Sequence, residues 1–319
     1  MMTPSKRLAL KVLTTGALAA LSATSLLAQA QTTPPLPVVA SFSILGDLVK
    51  VVGGERVQVS TLIGIDADAH AFEPSPADAK TILGARLLVL NGLHFEPWAK
   101  KLTQAAGYKG ATLIASDGIK TRPSPKSRAV QHDDDHDDDH DHGDADPHAW
   151  QDPTQVMVYV KNIAKALAKL DPAGADSYKR NSEAYLKELQ ALDDFAKAAF
   201  APVPAAQRKV ITGHQAFNYL GARYQIQFLA AQGVSTQAEP SAKAVAQLIA
   251  QIRKDKIRAI FPENNSSTQL LAQVAQESGV KVGAKLYTGA LSGPNAPGST
   301  YLAMMRYNIT QLAEGMKRN

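Results

Sequence analysis

The chain has 319 residues, no cysteine, 34 basic and 29 acidic residues, and a formal charge of +5. Without cysteine there are neither disulfides nor thiolate metal sites. Three basic residues (Lys6, Arg7, Lys11) and no acidic ones precede residue 31, so the remainder carries only +2; with no dense Lys/Arg cluster and no interleaved aromatics, nothing supports a nucleic-acid partner.

The first segment has the three parts of a secretory signal peptide. Lys6, Arg7 and Lys11 form its charged start, residues 12–27 its apolar stretch, and Ala28-Gln29-Ala30 its small-residue cleavage site. The apolar stretch is too short and too rich in Ala, Ser and Thr to span a bilayer comfortably. The expectation is a signal peptide over residues 1–30, cleaved near Ala30. The exported chain is then soluble and periplasmic, with no cysteine for a lipid anchor.

Residues 31–171 read as an α/β lobe. Candidate strands at 38–42, 57–63, 86–91 and 112–115 alternate with candidate helices at 45–52, 76–83 and 98–106, the pattern of a parallel sheet. Asp152-Pro153 supplies an N-cap and a proline at the first helical position, opening a helix to about Leu170. Residues 117–146 break the alternation. They hold almost no apolar side chains and nine Asp between His132 and Asp146, so they cannot bury a core and read as a disordered insertion.

Residues 172–204 read as a linking helix of about 40 Å, from Ala173 to Phe200. Tyr178, Tyr185, Leu189, Leu192, Ala196 and Ala199 fall on one face, and a Pro-rich stretch ends it. Residues 205–319 repeat the alternation, with strands at 209–212, 226–229, 259–262 and 281–286 and helices at 215–224, 242–254 and 268–278. A last helix carries Leu302, Met305, Ile309, Leu312 and Met316 at core spacing. The expected architecture is two lobes, each a small parallel sheet flanked by helices, joined by one long rigid helix.

The eight histidines form two sets. His132, His136, His140 and His142 crowd into the run HDDDHDDDHDH, a metal-attracting composition. His70, His94, His148 and His214 are scattered through loop motifs. His70 follows the second strand and His214 the first strand of the second lobe, while His148 lies in a Pro-bounded loop. Ligands bind beyond the carboxyl ends of parallel strands, so three neutral imidazoles meeting there suit Zn(II). His94 also lies at a strand end, either as a further ligand or as a packing residue beside Phe95 and Trp98. Enzyme signatures such as G-x-S-x-G, H-E-x-x-H, the P-loop and G-x-G-x-x-G are missing, and no enzyme is expected.

Taken together, DADAHAFEPSPAD, NGLHFEPW, DPHAWQDP, GHQAFNYLGARY, GVSTQAEPSA and the closing TYLAMMRYN resemble the zinc and manganese substrate-binding proteins of ABC importers (cluster A-I). The resemblance covers the chain from about Val38 to its end. It implies metal held between the lobes by His70, His148 and His214, and delivery to an inner-membrane permease. Manganese members usually place Glu at the third ligand position, so His214 points to the zinc branch, as does the acidic His-rich insertion. The family's frequent fourth ligand, Asp in a motif like LYSDALS, is Gly289 here. The fourth position then falls to water, His94, a tract histidine or a carboxylate such as Glu263.

The expectation is a monomeric, high-affinity periplasmic zinc carrier. Its rivals are a manganese or iron carrier, a zinc hydrolase, and a metal buffer in which only the tract matters. Deletion of residues 131–146 is expected to leave a carrier's tight site and abolish a buffer.

Overall fold

The computed structural model describes residues 34–124, 145–264 and 268–319. The expected signal peptide and the tract residues His132, His136, His140 and His142 lie outside the described residues. Strand β1 (Leu36–Phe42) leads into helix α1 (Ser43–Gly53), followed by β2 (Val57–Ile63), α2 (Pro76–Leu83), β3 (Leu87–Leu90), α3 (Ala99–Ala105) and β4 (Ala111–Ile114). The strands form one parallel sheet of order β2-β1-β3-β4, in which Val38 pairs with Val59 on one side and Leu87 on the other. The central strands, LPVVASF and LLVL, are buried almost throughout, as strands covered on both faces must be. Ser75 and Asp78 close a reciprocal capping box at the start of α2, which fixes where the loop after β2 ends.

Helix α4 (Pro153–Leu170) starts as the sequence predicts, with the Asp152 side chain accepting from Thr154 N. A 3₁₀ turn at Pro172–Gly174 precedes α5 (Ala175–Phe200), so the long helix begins slightly later than the expected Ala173. Its buried face includes Tyr178, Tyr185, Leu189, Leu192, Ala196 and Phe200. Asp193 joins that face because Arg223 donates to it twice, both at 2.6 Å. The second half contains β5 (Lys209–Thr212), α6 (Asn218–Tyr224), β6 (Gln227–Ala230), α7 (Ala242–Asp255), α8 (Thr268–Ser278) and α9 (Tyr301–Met316).

Two expected strands shrink to single bridges. Residues 259–262 run beside β5 and residues 281–286 beside 260–263, but the bridges are single, at Ile211–Ile260 and Glu263–Leu286. Ile211 N donates to Ala259 O, Phe261 N to Ile211 O, and Gly283 N to Ile260 O. Pro262 has no N–H to continue the ladder, so no regular strand forms.

The insertion is also shorter than 117–146. Ile119 packs on the core, Arg122 N donates to Tyr219 Oη at 3.1 Å, Asp146 N donates to Arg122 O, and Pro123 pairs antiparallel with Ala145. These anchors are hydrogen bonds to distant residues, which local composition does not report.

Residues 34–319 form one compact unit. The largest apolar cluster runs from β1 through α1, α4 and α5 to β5 and α9, so both sheets pack on shared helices, and two smaller clusters lie beside it. Truncating one of its fully buried leucines, such as Leu189 on α5, costs about 2–5 kcal/mol. No helix among the described residues is long and apolar enough to cross a membrane.

Candidate metal centre

Loops at the carboxyl ends of β2 and β5 and the loop before α4 bring three histidines together. His70 lies in the loop after β2, His148 follows the anchored end of the insertion, and His214 sits two residues beyond β5. One ring nitrogen from each lies within 4.8 Å of the others. His70 Nε2 is 3.1 Å from His148 Nε2, and the three ring centroids are 5.2–5.6 Å apart. His148 and His214 are buried at 1% exposure, while His70 is half-buried. Phe95 packs edge-on against His70, and Trp150 packs against His148.

Carboxylates hold two of the rings from behind. Asp146 Oδ1 contacts His148 Nδ1 at 2.8 Å and also accepts from His148 N. Glu263 Oε2 contacts His214 Nδ1, and its Oε1 accepts from Gly213 N and His214 N. A neutral imidazole that donates from Nδ1 presents a lone pair at Nε2. Each carboxylate therefore fixes the tautomer that aims a lone pair at the common centre, as outer partners of metal-bound histidines do. His70 is held differently: its backbone N donates to Asp68 Oδ1 at 2.9 Å. Asp68-x-His70 and Asp146-x-His148 thus share one local motif, in which an Asp folds back onto the amide two residues later.

Burial, followed by the neighbouring His148 and His214, takes the His70 pKa down to about 2. Burial also lowers His148, outweighing the opposing pull of Asp146. At His214 burial again presses downward, but Glu263 overrides it and the ring lies above the ordinary histidine value. Burial thus favours the neutral form of His70 and His148, whereas Glu263 favours the protonated form of His214.

The structure does not bring His94 to this group. Gly92, Leu93 and His94 all have left-handed backbones, with φ of 86°, 54° and 60°. The turn leaves His94 exposed while Phe95 and Glu96 are buried. Glu263 lies beside the centre as the partner of His214 rather than in the three-residue group. Gly289 is buried in the segment whose Thr288 carbonyl accepts from Trp150 Nε1 and Gln151 Nε2.

Two residues escape sequence reasoning. Asp146 is submerged in the acidic run, although its Asp-x-His spacing matches that of Asp68. Glu96 is buried and accepts from Ser41 Oγ at 2.6 Å, Asn91 N at 2.7 Å and Gly92 N at 3.1 Å. Burial raises its pKa to about 7 against those hydrogen bonds. It fastens the end of β1 to the loop after β3, and NGLHFEPW contains it without advertising that role.

Three aimed nitrogens with no sulfur, backed by buried carboxylates, can hold a borderline transition-metal dication with a coordination position to spare. A model of the family described as "ZnuA: Zinc-uptake complex component A periplasmic" matches residues 38–315. The manganese ABC transporter substrate-binding lipoprotein PsaA of Streptococcus pneumoniae is 29% identical over 289 residues, covering 89% of each chain. The iron-binding protein YfeA of Yersinia pestis is 29% identical over 280 residues, covering 87% of this chain and 85% of its own. Among solved structures, the periplasmic zinc binding protein TroA from Treponema pallidum superposes with a TM-score of 0.79 at 25% identity. The Mn-bound periplasmic metal binding protein from candidatus liberibacter asiaticus gives 0.75 at 29% identity. Each of these two covers 88% of this chain and 99% of the other.

Proposed function

We propose that this chain, which belongs to the ZnuA family of periplasmic zinc-uptake components, binds Zn(II) through His70, His148 and His214 and hands it to an inner-membrane ABC permease. Membership makes it a metal substrate-binding protein of an ABC importer, one that binds metal ions and works with a membrane permease. The proposal concerns the metal, the ligands and the setting: a monomer in the periplasm.

One observation carries the zinc reading. The converging donors are three imidazole nitrogens, with carboxylates contacting the rings of His148 and His214 at Nδ1. Divalent affinity for a nitrogen-rich site rises from manganese through iron toward copper and remains high at zinc. With Gly289 where the family often has Asp, the fourth position goes to water or to a histidine of the tract. A hydrolase is disfavoured, because both buried carboxylates are engaged on the Nδ1 side of the rings and neither is placed as a general base. A second reading, a manganese or iron carrier, draws on relatives named for those metals at similar identity.

The test is metal content and competition affinity of the purified mature chain for Zn(II), Mn(II) and Fe(II), with single alanine variants of the three histidines. One tight zinc per chain, lost in each variant, is the expected result. Tighter manganese than zinc would overturn the metal assignment, and tight zinc that survives all three substitutions would overturn the ligands.

A further inference from the structure

We infer that Thr236 is a positioning residue that ties the His70 side of the cleft to the His214 side and so slows metal release. This rests on the three-histidine reading and adds a residue that touches no metal. Asp68, two residues before His70, divides its carboxylate between two tasks. Oδ1 accepts from His70 N at 2.9 Å, and Oδ2 accepts from Thr236 Oγ1 at 2.6 Å.

Thr236 belongs to the opposite side. Its loop follows β6 and is stitched to the turn that carries His214: Gln232 N donates to Gly213 O and Gln215 N to Gly233 O, both at 2.9 Å. The Gln232 side-chain amide reaches Thr236 O and Ala238 O, which keeps the loop folded over. One hydroxyl therefore joins the turn of His70 to the turn of His214 by a route that bypasses the metal. Metal bound by the three rings spans the same gap, so the two links act in parallel, and His70 cannot withdraw until both have parted.

The beginning of the same loop is secured separately. Asp66 N donates to Leu291 O at 2.8 Å, and Asn264 Nδ2 donates to Asp66 Oδ1 at 2.9 Å. Those bonds set where the loop starts, and Thr236 secures the stretch next to the ligand. A hydrogen bond from a hydroxyl to a carboxylate is among the stronger kinds, and losing one corresponds to about a tenfold change in an equilibrium or rate constant.

The experiment uses the full mature chain loaded with zinc, and follows release into excess chelator by stopped flow. Thr236→Val keeps the shape and removes the hydroxyl; it is expected to speed release about tenfold, with association rate and one-zinc stoichiometry unchanged. Thr236→Ser, which restores the hydroxyl, is expected to restore slow release. A valine variant that releases zinc at the wild-type rate, or a serine variant as fast as valine, overturns the inference. Thr236→Ala replaces valine if that variant does not purify folded. His70→Ala runs alongside: if it keeps wild-type affinity, the three-histidine reading has failed, whereas its loss of zinc beside an unaffected Thr236→Val means only the tie has failed.

Discussion

His148 and His214 form the buried floor of the three-histidine group and His70 its half-buried rim, and the three are held in different ways. Each floor ring is almost wholly buried with a buried carboxylate on its Nδ1. The rim ring is half-buried, and its carboxylate grips the backbone instead. The floor is built as part of the core: removing a ring there takes one partner from a buried acid. The rim is built on a loop with ties across the cleft. Two of the three proposed ligands thus have their rings held by buried carboxylates, while the third is held only through its backbone.

The largest expected effect sharpens that contrast. Each of His70→Ala, His148→Ala and His214→Ala is expected to weaken zinc binding by more than about 100-fold, beyond the loss typical of an outer partner. Their effects on the metal-free fold should differ. Removing His214 leaves Glu263 buried without its ring, at a cost of roughly 3 kcal/mol and several degrees of Tm, whereas His70→Ala should shift Tm little. Equal melting of the two variants would break the floor-and-rim comparison.

Next in size is Glu263→Gln, which keeps the shape but weakens the hold on the His214 ring. A loss of about 10- to 100-fold in zinc affinity is expected, read by competition titration. If the substitution is silent, the carboxylate does not orient the ring.

The pH dependence separates floor from rim in solution. On the proposed reading zinc needs the His214 ring neutral, and Glu263 holds that ring above the ordinary value of 6.5. Affinity is therefore expected to fall as pH drops through that raised value, with proton release on binding over the same range. His70, at about 2, adds no acid limb in this range. In the metal-free protein the same pair works the other way: its stabilisation is complete below pH 6.5 and is lost as pH rises through the raised His214 value. Calorimetry in buffers of different ionisation enthalpy checks the release, and Glu263→Gln should move the fall in affinity to lower pH.

The smallest effects are expected outside the cleft. His94→Ala should leave zinc affinity within about twofold, since its side chain faces solvent. Deleting residues 125–144 should leave one tight zinc per chain and remove only weaker sites, because His70, His148, His214 and the carboxylates on their rings all lie outside that stretch. A deletion carried through Asp146 is a different experiment, as it also removes the acid behind His148.

Periodicity and turn chemistry reveal much of this molecule before any coordinates. The alternation of β1 through β4, the Asp152 cap and the stripe along α5 are local signals, and the structure follows them. His70, His148 and His214 stand out because histidines beside Asp, Pro and Gly at strand ends have little reason to be there for packing. What escapes is nonlocal. Residues 259–262 look like a strand, but a proline breaks the ladder at a position whose pairing the sequence does not specify. His94 shares a strand-end position with the others, and only the left-handed run from Gly92 turns it away. Asp146 vanishes into a run of aspartates whose composition argues for disorder, although it is among the most buried acids in the chain.

The Pro123–Ala145 bridge has a practical consequence. It holds Pro123 and Ala145, 22 residues apart in sequence, side by side at one doorway. Closing a loop of twice that length costs only about 0.6 kcal/mol more. The doorway is therefore a splice point. A fluorescent peptide, an affinity tag or a different chelating sequence can be grafted there with Asp146 and the ring behind it left in place. Such a graft would turn a metal carrier into a reporter of its own cargo.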